Sequence, residues 1–544
     1  MLNFTPQQTA AIDHSGNLVV TACPGSGKTT VISEKIRNEI STLKKHQGVV
    51  AITFTRKASK ELANRCKRGG LEIKASFFGT IDSFCLSEII FPFAKSLFGA
   101  SLNELEPKFP GDLNQLERDI LAEVALEYGD YSSDTFDKYL PALRKLYDIG
   151  CIYFPAITQL ALHIINSSAA CRRYIQARYT TTYIDEYQDS SQLQHDLFLT
   201  LLGLGIRCVC VGDVQQSIYG FRDSKPELLE ALINRPDFEH LPVSVNHRCH
   251  PSIANYANRL FEHDCELQTS EAIRVYQCKI DGDEYEAALK LNNIIAELTA
   301  KFPVSKMSEV AILTRHNRGL ERLREKLTIP CKIYTEDVLS RIESRTSMLW
   351  TSLLEYRFSK TLLPDDLIDS FATGVNYKKD QLKNLRSLIR RVKSAPLDQL
   401  INFIPEVSTF IFGGKGTGLE LNALKVVLDD PELILQYQPA EDDQVQCMTI
   451  HKSKGLEFEI VIHLDLVEWV MPKRVPGLDF NDRIYPEWEQ DLNLHYVAIT
   501  RAKAACVLVH TSRRTNSSGV VKQGARSEFL QFPSLENLYK VVNK

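Results

Sequence analysis

The sequence contains no apolar run near the roughly 18 residues needed to span a bilayer. Its opening, MLNFTPQQTA, lacks the basic and apolar regions of a secretory leader. The expected compartment is therefore cytoplasmic, with no membrane partner. No CxxC pair occurs among the 13 cysteines, and an odd number of scattered thiols fits neither a disulfide framework nor a zinc or iron–sulfur site. Cys208 and Cys210, on either side of Val209, read as two side chains on one face of a buried strand. Excess positive charge is also missing. With 64 Lys and Arg against 68 Asp and Glu, the net charge of −4 supplies no global attraction to nucleic acid. Any DNA contact must come from local grooves and stacking surfaces. What is present is an ordinary globular composition, 44% hydrophobic and 24% charged, in 544 residues. That length accommodates two nucleotide-handling cores and inserted subdomains.

The run LVVTA, Leu18 to Ala22, has the pattern of a short buried strand, and apolar residues at Ile32, Ile36 and Ile40 follow at helical spacing. Between them lies CPGSGKTT. A strand, a glycine-containing loop and a helix in this order make a phosphate cradle: Gly25 and Gly27 let backbone amides close around oxygens, and Lys28 adds a compact charge. The Thr29 hydroxyl is placed to ligate Mg²⁺. Ala22, Cys23, Pro24, Ser26 and Thr30 complete the expected ATP-binding loop; the strict pattern has glycine where this chain has Ala22.

A second strand pattern, Thr180 to Ile184, delivers Asp185 and Glu186 to a strand end. Asp185 is expected to hold Mg²⁺, and Glu186 to orient and deprotonate the water that attacks the γ-phosphate. An acidic dipeptide alone is usually a solvated turn. Combined with the phosphate loop, it points to nucleoside triphosphate hydrolysis.

The string VGDVQQSIYGFRDS, Val211 to Ser224, resembles motif III of the UvrD/Rep/PcrA group of superfamily 1 DNA helicases. FTPQQTAAI resembles that family's Q motif, AITFTRKASKEL motif Ia, FGTIDSF motif Ib and SVNHRCHPSI motif IV. MTIHKSKGLEFEIVI resembles motif V and LHYVAITRAK motif VI, all in family order. The resemblance implies an α/β fold of two RecA-like P-loop lobes with mainly helical insertions. It implies that Gln8 reads adenine, that Gln216, Arg248 and Arg501 converge on the γ-phosphate, and that Glu457 touches the ribose. Phe54, Tyr219 and Phe221 would stack on unpaired bases, with Arg222 and His451 also on the strand. Three positions depart from the family pattern. His247 stands where the family has an adenine-stacking tyrosine, Thr30 where it has arginine, and Asp82 where it has histidine. These put in question both the preference for ATP over other purine nucleotides and the strength of the grip on DNA.

The motif positions imply a first lobe from 1–84 and 172–245, interrupted by a helical insertion at 85–171. The second lobe takes 246–340 and 440–544, interrupted by a reduced helical insertion at 341–439, with QPAEDDQ as the returning linker. The passage FGTIDSFCLSEIIFPFAKSLFG is similar to the helicase subunits of bacterial Gabija antiphage systems. That likeness implies a hetero-oligomer with an OLD-like, Toprim-containing nuclease, stimulated by DNA ends, tails or single strands, and 3′ to 5′ movement by family analogy. A stand-alone repair or replication helicase is the alternative. A nucleotide-gated DNA sensor with little unwinding is a third reading. Separately, Lys379, Lys383, Arg386, Arg390 and Lys393 recur at helical spacing, a stripe that fits either a solvated face or a grip on DNA or an acidic partner.

Overall fold

The computed structural model describes residues 3–124, 136–220, 224–372, 377–479, 482–516 and 518–544. Two wholly parallel sheets organise it. The first comprises β1 (Leu18–Ala22), β2 (Gly48–Ile52), β3 (Phe77–Gly79), β4 (Tyr179–Ile184), β5 (Arg207–Gly212) and β6 (Glu239–Val243), in the order β3-β2-β4-β5-β1-β6. Strands covered on both faces must be apolar on both, which is why β2 reads GVVAI with every residue buried. Alternation still assigns the faces: Cys208 and Cys210 enter the cluster containing Val19 and Val50, whereas Val209 and Val211 join Leu18 and Val20 on the other side.

The second sheet comprises β7 (Val275–Ile280), β8 (Val310–Thr314), β9 (Cys331–Ile333), β10 (Val445–Thr449), β11 (Phe458–His463), β12 (Ala502–Thr511) and β13 (Lys540–Asn543). Their order is β9-β10-β8-β11-β12-β7-β13, again with parallel neighbours throughout. Helices cover both sheets, giving the two RecA-like α/β lobes that the motif order implies. Among the described residues no helix is long and apolar enough to cross a membrane.

Packing divides the first insertion differently from the sequence reading. Ile89, Ile90, Ala94, Ile157 and Ile164 belong to the same core as Phe84, Ile175 and Phe198 of the first lobe. A separate small core gathers Leu113, Ile120, Leu121, Leu143, Leu146 and Tyr153. Helical periodicity shows that a face is buried but not which core buries it, so both ends of the 85–171 segment are structurally part of the lobe. The segment also carries a parallel two-stranded ribbon, Glu106–Lys108 beside Cys151–Tyr153.

The second insertion runs through helices from Arg345–Phe358 to Pro431–Leu435 around Trp350, Ile389, Ile404 and Leu424. The basic stripe lies on the helix Lys379–Ser394, with Leu385, Ile389 and Val392 buried. Two of its cations are tied within the insertion: Arg386 Nε donates to Asp365 at 2.8 Å, and Lys393 Nζ to the Ser359 carbonyl at 2.7 Å. Lys379, Lys383 and Arg390 are exposed. The insertion also clasps the rest of the protein. Lys60 pairs with Asp366, Arg56 donates to the Ser370 carbonyl and lies 5.3 Å from the Phe371 ring centroid, and the Arg345 amide donates to Asp112 at 3.1 Å.

Candidate nucleotide cleft and nucleic-acid surface

β1 ends at Ala22 and the chain turns through the predicted loop into the helix Lys28–Thr42. Gly25 and Gly27 both adopt left-handed backbone, with φ of 73° and 82°. Side-chain volume is excluded at Gly25 by a second constraint: a Cβ there would lie 2.4 Å from Arg248 Cβ. Gln8 supports the loop from behind. Its Nε2 donates to the Ser26 carbonyl at 2.8 Å, and its Oε1 accepts from the Thr5 amide at 2.9 Å. One amide hydrogen and one lone pair are left over for a base.

Lys28, Thr29, Asp185, Glu186, Gln216, His247, Arg248, Glu457 and Arg501 line one cavity of about 750 Å³, together with Pro24, Gly25, Gly27 and Thr30. Ala22, Cys23, Ser26 and Gln8 do not line the cavity wall. Lys28 Nζ is buried without a hydrogen-bond partner among the described residues, and the nearest carboxylate, Asp213, lies 3.8 Å away. A buried ammonium facing a ring of backbone amides matches a polyphosphate. Burial, and then the adjacent Glu186 charge, raises the Asp185 pKa. Burial acts the same way on Glu186, but Lys28, Lys454, Gln188 and Arg501 together hold its carboxyl below the usual range. The surroundings thus push the two carboxyls in opposite directions.

From the second lobe, Arg501 is fully buried and pinned by three bonds of 3.2 Å, to the Val497 and Leu456 carbonyls and to Gln216 Oε1. Arg248 Nε donates to Glu457 Oε2 at 2.8 Å, and Lys503 Nζ lies 2.9 Å from Glu457 Oε1. The structure therefore places Glu457, predicted on the ribose, between two cations. Thr29 and Asp185 offer hard oxygen donors suited to Mg²⁺. Among the described residues no cluster of three or more His, Cys, Asp or Glu side chains exists that could hold a metal by itself, so a cation here would share its coordination with phosphate and water.

Three contributors lay unassigned: Lys454 and Asp189 inside the motifs, and Arg65 outside them. Lys454, from the KSKGLEF stretch, crosses between lobes to buried Asp189 and donates to the Gln216 carbonyl at 2.9 Å. Truncating one partner of such a pair costs about 3–5 kcal/mol. Lys454→Met is accordingly expected to lower DNA-stimulated ATP turnover at least tenfold; an unchanged rate would remove the pair from lobe closure. The third, Arg65, had no sequence signal. Its Nη1 lies 3.5 Å from Thr30 Oγ1 on the cavity wall, bringing a guanidinium from the neighbouring helix to the position where the family pattern has arginine.

At the mouth of the cleft Phe54, Tyr219 and His451 meet. The Phe54 and Tyr219 rings stack at 5.6 Å and 7°, His451 lies 6.4 Å from Tyr219, and Lys454 Nζ sits 4.6 Å from the Tyr219 centroid. Phe54 is 38% exposed, which decides against a core-packing role. Phe221 and Arg222 lie outside the described residues. Asp82 lines a second cavity, of about 1180 Å³, between the helix Arg56–Lys67 and the second insertion. Burial raises its pKa to about 6 against the opposing charge of Arg56. A third cavity, of about 1120 Å³, gathers Arg318, Arg483, Arg514 and Lys522 around Trp469, whose φ of 76° is rare for a bulky residue. These cations come from four separate segments, so no local pattern announces them.

Comparison with known proteins follows the same division. An AAA domain model matches residues 7–222, and a UvrD-like helicase C-terminal domain model matches residues 366–513. The Gabija protein GajB of Bacillus cereus is 30% identical over 524 residues, covering 92% of this chain and 94% of that protein. The ATP-dependent DNA helicase PcrA of Staphylococcus epidermidis is 24% identical over 630 residues, covering 94% and 84%, and that of Staphylococcus aureus is 23% identical over 620 residues, covering 94% and 83%.

Proposed function

Because the chain belongs to the UvrD-like helicase family and is an ATP-hydrolysing DNA helicase, we propose that it serves as the motor or DNA-end sensor of a Gabija-type antiphage defence complex. Similarity to GajB along almost the full length of both chains supports the defence role. The observation that carries the motor reading is the convergence of Lys28 and Glu186 from one lobe with Arg248 and Arg501 from the other around a single cavity. Groups divided in this way reach the γ-phosphate together only when the lobes close, so hydrolysis reports on lobe position.

In this reading Lys28 and the loop amides hold the phosphates, Glu186 takes the proton of the attacking water, and Gln216 senses the γ-phosphate. Arg248 leaves Glu457 to meet charge developing in the transition state, while Arg501 approaches from its buried seat. Glu457, released by Arg248, is then available to the ribose. Thr29 and Asp185 hold Mg²⁺, which supplies charge neutralisation on the phosphates. Phe54 and Tyr219 hold a base between them beside His451, with Phe221 and Arg222 expected on the same strand, and movement runs 3′ to 5′. The partner we expect is an OLD-like, Toprim-containing nuclease bound in a hetero-oligomer.

ATP hydrolysis with and without single-stranded DNA, run beside strand displacement on 3′-tailed and 5′-tailed duplexes, tests this. Stimulation with displacement of the 3′-tailed duplex alone is the expected result for a motor. Stimulation without displacement favours a sensor, a reading supported by the clasp of the second insertion over the helix Arg56–Lys67. Displacement of the 5′-tailed duplex alone would overturn the direction.

A further inference from the structure

A groove lies away from the nucleotide cleft, where the lobes meet on another face. Its volume is about 1430 Å³, beyond the roughly 300–1,000 Å³ typical of a small-molecule pocket. Its floor is apolar: Trp488, Phe261 and Phe532 line it, and Leu267 is 42% exposed. Its rim is acidic. Glu227 and Glu230 come from the first lobe, and Asp264, Glu489 and Glu536 from the second. All five are exposed, and no salt bridge to any of them forms among the described residues. Of the basic groups in the groove, Arg259 donates to the His263 carbonyl and contributes the one full positive charge on the lining, and His263 is bonded to Ser534 at 3.1 Å.

We propose that this groove docks a cationic amphipathic segment of a partner protein, apolar anchors down and Lys or Arg side chains outward, and that occupancy draws the lobes together. Five carboxylates without an ion-pair partner among the described residues, against one arginine on the same lining, complement such a segment over an aromatic floor and repel nucleic acid, whose phosphates would meet like charge. The coupling follows from position. Val214 and Gln215, on the groove wall, immediately precede Gln216 of the cleft, and the helix Trp488–Thr500 runs from the groove to Arg501. Carboxylates on facing lobes oppose each other's approach. A cationic occupant removes that opposition and favours the closed, hydrolysing arrangement. This inference concerns a surface separate from the nucleotide cleft and holds whether the chain acts as motor or as sensor.

The test uses the full chain and a fluorescein-labelled 14-residue peptide in which Lys and Arg alternate with Leu and Trp on helical spacing, carrying one photo-crosslinking residue. An oligolysine of equal charge and a 14-nucleotide single strand serve as comparison probes. The amphipathic peptide is expected to bind about tenfold more tightly than oligolysine, to crosslink within residues 259–267 or 488–492, and to raise ATP turnover at least twofold. A Glu227→Lys/Glu230→Lys/Glu489→Lys variant should lose that binding about tenfold while its single-strand affinity and melting temperature stay unchanged. Leu267→Ser, which leaves the charge untouched, should weaken the peptide and spare oligolysine. Equal binding of the two peptides, crosslinks elsewhere, or undiminished binding by both variants would overturn the docking site. Correct crosslinks with unmoved turnover would overturn the coupling.

Discussion

Replacing Lys28 by alanine is expected to lower ATP turnover by about 10²–10³-fold, with and without DNA alike, and to leave the melting temperature within a few degrees of the parent. The magnitude follows from the side chain's position. Lys28 is the ammonium that the loop presents to the cavity, buried with no hydrogen-bond partner among the described residues. Its removal also withdraws the leading charge that keeps Glu186 ionised against burial, so phosphate binding and water activation fail together. Glu186→Gln should reproduce the loss of turnover while retaining nucleotide binding, since the cradle is intact. Steady-state hydrolysis together with binding of a labelled, non-hydrolysable ATP analogue separates the two. A Lys28→Ala protein that still hydrolysed ATP within tenfold of the parent rate would show that this cleft is not where the chemistry occurs.

The second large effect concerns DNA. Tyr219→Ala should abolish DNA stimulation while leaving basal turnover within about twofold, because stacking on one aromatic is worth about 1–3 kcal/mol per base. Phe54 and Tyr219 now face each other at 5.6 Å. A base between them needs ring planes about 7 Å apart, two intervals of the roughly 3.4 Å by which stacked bases rise. Strand entry must therefore separate the pair, and each ring gives up its neighbour for a base. The two substitutions should be non-additive: Phe54→Ala/Tyr219→Ala is expected to weaken single-strand binding by less than the sum of the single effects. Fluorescence anisotropy with an oligothymidine at fixed salt measures all three. Full additivity, or equal loss of basal and stimulated turnover in Tyr219→Ala, would count against a shared base site.

Legibility in the sequence tracked how local each determinant is. The strand Leu18–Ala22, the loop and the helix through Ile32, Ile36 and Ile40 could be read directly because hydrophobic period and loop chemistry sit within one continuous stretch. The acidic pair at the end of β4 was legible for the same reason. The resting partner of Glu457 was not, since Arg248 lies more than 200 positions away and the ion pair exists only after folding. Arg65 escaped because its helix pattern gives no sign that Thr30 lies opposite. That the ends of the first insertion share a core with the first lobe was not legible, because a buried helical face is the same pattern whichever core receives it. The acidic groove was invisible for a similar reason: its carboxylates are spread from Glu227 to Glu536.

The strand order bears on how such a chain is made. In the first sheet β1 lies between β5 and β6, whereas β2 lies between β3 and β4, so the two earliest strands never touch. A nascent chain that has delivered β2 must wait for β4, more than a hundred residues later, before its central pairing can form. At about 5–20 residues per second this interval is on the order of ten seconds. In the second sheet the wait is longer, because β7 pairs only with β12 and β13 from the far end of the chain. Unpaired apolar edges are exposed throughout, so synthesis of this protein is a period of sustained aggregation hazard and of demand on chaperones. The same order dictates where the polypeptide tolerates severance. A single break between β6 and β7, within residues 244–274, leaves every strand with its neighbours on its own side. A break between any other two successive strands parts at least one pair.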